Sequence, residues 1–134
     1  MLHFAYHIEA RSKARVFKTA WFSRAARKAL IGDPELCAAI REVMLGQADN
    51  LGGGVYKKRL GKNLYRSILV AKGGRYFVFA YLFAKKDRAN IRKDELEEFR
   101  ALADLYARKS DADIEQELKL EELQEIRHEE QPSI

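Results

Sequence analysis

A set of basic side chains between residues 57 and 92 is spaced so that a folded chain could gather it around one anionic group. Lys57 and Arg59 lie two apart in Val-Tyr-Lys-Lys-Arg-Leu (55–60), so a strand turns both to one face and Lys58 to the other. Arg66 stands early in Leu-Tyr-Arg-Ser-Ile-Leu-Val (64–70), and Lys85, Lys86, Arg88 and Arg92 follow the apolar run 76–83. Cations fixed around a phosphate stabilise the charge that builds on it during nucleophilic attack. Arginine adds a planar fork that grips two phosphate oxygens at once, which lysine cannot copy. Imidazole chemistry is poorly served, because His3, His7 and His128 all lie far from this segment. His3 and His7 have no further Cys or His nearby to complete a metal shell.

These side chains need a rigid support. Residues 55–88 read as three consecutive strands, joined by Gly61-Lys62-Asn63 and by Lys72-Gly73-Gly74-Arg75, since paired glycines accept the positive φ of tight turns. The third strand, apolar from Tyr76 to Phe83, has the character of a strand covered on both faces. Ahead of it, 16–19 reads as a short edge strand. Residues 21–31 form a helix with Trp21, Phe22, Ala25, Ala26, Ala29 and Leu30 on its apolar stripe. A second helix begins at Asp33-Pro34, with Asp33 as its N-cap, and turns Leu36, Ala39, Ile40, Val43 and Met44 inward. Residues 47–54 read as a flexible connector. Their glycine triplet is no P-loop, because no Gly-Lys-Ser/Thr follows and a strand comes next. A third helix spans 92–109 with Leu96, Phe99, Leu102, Ala103, Leu105 and Tyr106 on its apolar side, and Ser110 caps a fourth segment reaching about Leu123.

The expected architecture is α+β: a small antiparallel-rich sheet in the order β-α-α-β-β-β-α, a helical hairpin on one face, and a C-terminal helical extension. Three parts follow: a weakly ordered extension (1–14), the main domain (15–109), and an acidic, partly helical extension (110–134). Charge divides along the same line. Residues 110–134 hold nine acids against two bases, whereas residues 1–109 hold 23 bases against 11 acids. A basic body suits a polyanion, and an acidic tail could compete with it. Nothing approaches a membrane span. The single cysteine, Cys37, excludes an intramolecular disulfide, and no secretory signal is apparent, so the cytoplasm is expected.

Taken together, the strand order, VFKTAWFSRAARK near the start, GGGVYKKRL, LYRSILV, and FVFAYLFAKKDRANI before a leucine-patterned helix resemble the RelE/ParE superfamily of toxin–antitoxin toxins, in its RelE/HigB-like branch. The resemblance runs from about Arg15 to Lys109. It implies an endoribonuclease that cleaves mRNA, usually on the translating ribosome, and is held inactive by a cognate antitoxin protein. It also implies catalytic roles for Lys57 and Arg59, a phosphate-binding role for Arg66, and a role at the phosphate or leaving group for Lys86. Lys58, Lys85, Arg88 and Arg92 would contact RNA. Where several relatives carry a tyrosine or histidine beyond the basic cluster, this chain has Ile91 and Arg92.

RNA carries its own nucleophile, the 2′-hydroxyl. An enzyme therefore needs to align it, stabilise charge and manage two protons, with neither metal nor cofactor. Lys57, crowded by cations, is the expected base. Arg66 would clamp the phosphate and Lys86 or Arg88 steady the leaving oxygen, giving 2′,3′-cyclic phosphate and 5′-hydroxyl ends. Two other readings fit the same residues: a ParE-like inhibitor of DNA gyrase that cuts nothing, and a plain RNA-binding module.

Overall fold

A computed structural model describes residues 14–127. Its elements are β1 (Arg15–Thr19), α1 (Ala20–Lys28), α2 (Asp33–Met44), β2 (Asp49–Gly52), β3 (Val55–Leu60), β4 (Tyr65–Val70), β5 (Tyr76–Ala84), α3 (Lys93–Arg108), α4 (Asp111–Lys119) and β6 (Leu123–Ile126). The histidines and the expected N-terminal extension, apart from Ala14, lie outside the described residues.

The expected meander is present: β3, β4 and β5 pair antiparallel in sequence order. β1 joins β5 in parallel, and the complete sheet runs β2-β3-β4-β5-β1-β6. The helical hairpin α1–α2 covers one face, burying Phe22, Leu36 and Ile40 against Leu69 and Phe79. On the other face, α3 and α4 bury Tyr106 and Ile114 against Val55, Ile68 and Val78. β5 is thus covered on both sides, which its unbroken apolar run requires.

Two strands were not expected. The segment read as a flexible connector contains β2, which pairs antiparallel with β3. Gly53 and Gly54 make the turn at φ +66° and +84°, and a Cβ on Gly54 would lie 2.6 Å from Lys72 Cβ. Arg100 of α3 holds the hairpin by donating to the main-chain oxygens of Leu51 and Gly52. At the opposite edge, helix α4 stops at Lys119 rather than near Leu123, and β6 pairs antiparallel with β1. β1 is therefore interior, not an edge.

The segment expected as a C-terminal extension supplies, through Ile126, a helix and a strand to this fold. Ser110 caps α4 as expected. Arg15 binds Glu125 through two bonds of 3.0 Å and Glu115 at 3.1 Å. These acids sit at the sheet edge farthest from β3, so they do not shield the basic strand face. Smaller differences concern the helices. Gly32, not Asp33, is the N-cap of α2, and the Asp33 carboxylate pairs with Lys18. Trp21, Leu30, Met44 and Leu105, expected inward, are exposed. Among the described residues, no helix is long and apolar enough to cross a membrane.

Candidate nucleic-acid interface

β3 presents Val55, Lys57 and Arg59 to the α3 side and Tyr56, Lys58 and Leu60 to the hairpin side, as strand alternation demands. On β4, Arg66 lies directly opposite Arg59 and therefore shares its face. Like charges in opposed cross-strand positions repel, yet neither arginine has a carboxylate within ion-pair distance among the described residues. Arg66 instead donates to the main-chain oxygens of Asn63 and Tyr65, both at 3.1 Å. Those bonds fix its direction and leave its charge uncancelled.

Lys57, Arg59 and Arg66 line one cleft of about 360 Å³, closed on its far side by Gly46, Gln47, Ala48 and Asp49. The Asp49 carboxylate is 3.8 Å from the Lys57 ammonium. Lys57 also donates to the Asn90 side-chain oxygen at 3.3 Å. The cationic crowding expected around Lys57 is thus offset by two oxygen acceptors. Lys58 reaches the same cleft from the other face but is held by Glu42 at 2.6 Å and the Gln47 carbonyl at 2.8 Å.

Lys86 does not join this group. The chain turns sharply after β5, with Asp87 N–H bonded to the Ala84 carbonyl. That turn sends Lys86 into a second cleft of about 530 Å³ beside α1, lined with Trp21, Lys28, Tyr65, Tyr81 and Phe83. Of the four residues expected to be catalytic, Lys57, Arg59 and Arg66 line one cleft and Lys86 lines another. Lys85 is exposed, its N–H bonded to the Leu64 carbonyl.

Arg88 is engaged on all sides: its guanidinium meets Glu95 with two bonds, at 2.5 and 3.2 Å, and Tyr81 Oη at 3.2 Å. It also lies 5.5 Å from the Phe83 ring centroid. The Arg88 hydrogen bonds and the Arg92 N–H hold the Glu95 carboxyl down to about 2. Arg92 is solvent-facing and paired with Asp94. Arg88 and Arg92 thus organise the start of α3, while Arg59 and Arg66 stand open to a ligand.

A β-bulge decides what surrounds Arg66. Ile68 pairs with Tyr81 and Leu69 with Phe79, so Ala80 is the extra residue. The shift turns Tyr81 and Phe83 to the α3 face, with Phe83 directly opposite Arg66. Three residues of the interface escaped the sequence reading: Gln47, Asp49 and Asn90. The Gly-Gly turn that brings 47–49 beside β3 was a visible hairpin signal. Nothing local marked Asn90, which links Lys57 to Arg88 through its side-chain and main-chain oxygens. Among the described residues no group of three or more His, Cys, Asp or Glu could hold a metal ion.

The fold is thus an α+β domain whose sheet carries arginines on adjacent strands with no described carboxylate in ion-pair reach. The family model for the RelE toxin of the RelE/RelB toxin–antitoxin system matches residues 14–126, and the chain belongs to that family. The match includes α4 and β6. No curated protein matched the sequence. Family membership makes the chain a toxin of a toxin–antitoxin system, with a cognate antitoxin as its implied partner.

Proposed function

We propose that this toxin is an mRNA endoribonuclease of the HigB-like branch, acting on translating ribosomes in the cytoplasm and neutralised by its antitoxin. The observation that carries the reading is the facing pair Arg59 and Arg66, uncancelled by any described carboxylate and sharing one cleft with Lys57. Repulsion of this kind is retained where an anion is to be bound.

In this reading Arg66 clamps the scissile phosphate through the part of its fork not held by Asn63 and Tyr65. Arg59 and Lys57 stabilise the added charge as the 2′-oxygen attacks phosphorus. Asp49 takes the 2′-hydroxyl proton, being the carboxylate that lines the same cleft; the role expected of Lys57 as base passes to it, and Lys57 becomes a charge-stabilising group. The P–O5′ bond breaks as the P–O2′ bond forms and the departing 5′-oxygen takes a proton from water, leaving a 2′,3′-cyclic phosphate on one fragment and a 5′-hydroxyl on the other. No metal or cofactor is required by this scheme. Lys85 and Lys86 contact flanking RNA, whereas Lys58, Arg88 and Arg92 act mainly by fixing the surrounding loops.

Primer-extension mapping of cellular mRNA after brief induction tests the proposal. New 5′ ends are expected with the wild-type chain and not with Arg66→Ala at equal protein level. Absence of new ends, with inhibition of gyrase supercoiling by the purified chain, would place it instead among the gyrase inhibitors.

A further inference from the structure

The second cleft is not used by the chemistry above, and its lining is that of a base-stacking site. β1 pairs only with Tyr76–Phe79 of β5, so the last residues of β5 have no strand neighbour on that side. Trp21, two residues past the end of β1, fills the position. Its ring stacks on Tyr81 at 5.1 Å and 27° between planes and stays 45% exposed. Tyr81 is backed by Phe83 at 5.8 Å and Phe99 at 6.0 Å, and its hydroxyl is fixed by Arg88. The aromatic platform is thus anchored in the core before any ligand arrives.

The rim is cationic. Lys28 and Lys86 are exposed and form no ion pair among the described residues, against one acid, Asp87. Phe83, which lines this cleft, lies directly across the strands from Arg66, which lines the first. A volume of about 530 Å³ falls within the roughly 300–1,000 Å³ usual for small-ligand sites.

We infer that this cleft takes a nucleobase of single-stranded RNA, stacked on Trp21, while Lys28 and Lys86 hold the flanking phosphates. Aromatic platforms between cations are how proteins grip single strands without reading sequence. The inference rests on the ribonuclease reading and gives its substrate a second point of attachment, one nucleotide or more from Arg66.

Trp21 is the only tryptophan, so its fluorescence reports on this cleft alone. The full chain is titrated with an uncleavable, fully 2′-O-methylated heptanucleotide and with an abasic oligomer of equal charge, and binding is followed independently by anisotropy of a labelled copy. Saturable quenching by the base-bearing oligomer and none by the abasic one is expected. Affinity should favour bases by about ten-fold, and Trp21→Leu should abolish that preference while Trp21→Phe keeps most of it. Lys86→Ala should weaken both oligomers. Binding without quenching, or an unchanged preference in Trp21→Leu, overturns the inference. So does a Trp21→Leu variant that loses only antitoxin binding, which would make the cleft a protein-docking site. Cleavage on translating ribosomes, measured alongside, separates the cases: cleavage without quenching removes this inference alone, and absence of both removes the ribonuclease reading as well.

Discussion

Replacing Arg59 by glutamate should make the protein more stable and nearly inactive. Arg59 is exposed and faces Arg66 in directly opposed register, where like charges cost and unlike charges contribute roughly 0.2–1 kcal/mol each. Arg59→Glu removes the first term and adds the second, a gain of about 1 kcal/mol. For a chain of this size that raises Tm by about 4 °C. Because the pair is solvent-facing, the gain should shrink in 1 M salt, where the screening length falls to about 3 Å. Cleavage should fall at least about 100-fold, as when one charge-stabilising donor is lost from an anionic transition state. The assay is paired: thermal melts at low and high salt, and cleavage of a reporter mRNA on translating ribosomes. A melt lowered by several degrees, or cleavage within a few-fold of wild type, refutes the claim that this cation is held for function against stability.

Asp49→Asn should lower cleavage by about 10²- to 10⁴-fold, the usual share of a general base, with RNA affinity in anisotropy unchanged or improved. Glu95 has its carboxyl held down to about 2 by Arg88 and the Arg92 N–H. A depressed value means its stabilisation is present above the unfolded carboxylate range near 4.3 and is lost as pH falls through about 2. Glu95→Gln should therefore melt lower than wild type at pH 7, the gap closing toward pH 2; a gap independent of pH sinks the assignment. Leu123 is 1% exposed, so Leu123→Ala should cost about 2–5 kcal/mol in urea unfolding. A smaller effect than about 1 kcal/mol would show that β6 is not part of the cooperative fold.

What could be read from the residues, and what could not, divides on a physical line. The β3–β4–β5 meander was legible because Gly61 and Gly73-Gly74 punctuate apolar runs of strand length. The hairpin α1–α2 was legible because Phe22, Ala26, Leu36 and Ile40 recur at helical spacing. β2, Asp-Asn-Leu-Gly, has almost no strand propensity of its own and exists because β3 pairs with it and Arg100 holds its carbonyls. The apolar residues Ile114, Leu118, Leu120 and Leu123 carry the expected fourth helix to about Leu123 and give no sign of β6. What ends that helix is Glu121 at φ +60°, which no composition rule announces. The bulge at Ala80 was invisible inside a continuous apolar run, since with no alternation there is no pattern to break. That one residue sets which face Tyr81 and Phe83 share, and so what surrounds Arg66. The cations were identifiable by type and spacing; the destination of Lys86 was not, because the turn after Ala84 decides it.

The central claim is that uncancelled cations on β3 and β4 hold an RNA linkage while its own 2′-hydroxyl cuts it. End-group analysis of the fragments made on translating ribosomes tests this most directly. The account predicts 5′-hydroxyl ends that ligate only after kinase treatment, opposite 2′,3′-cyclic phosphates, and no fragments from Arg66→Ala. Fragments bearing 5′-phosphates, or the same fragments from the Arg66 variant, would contradict it.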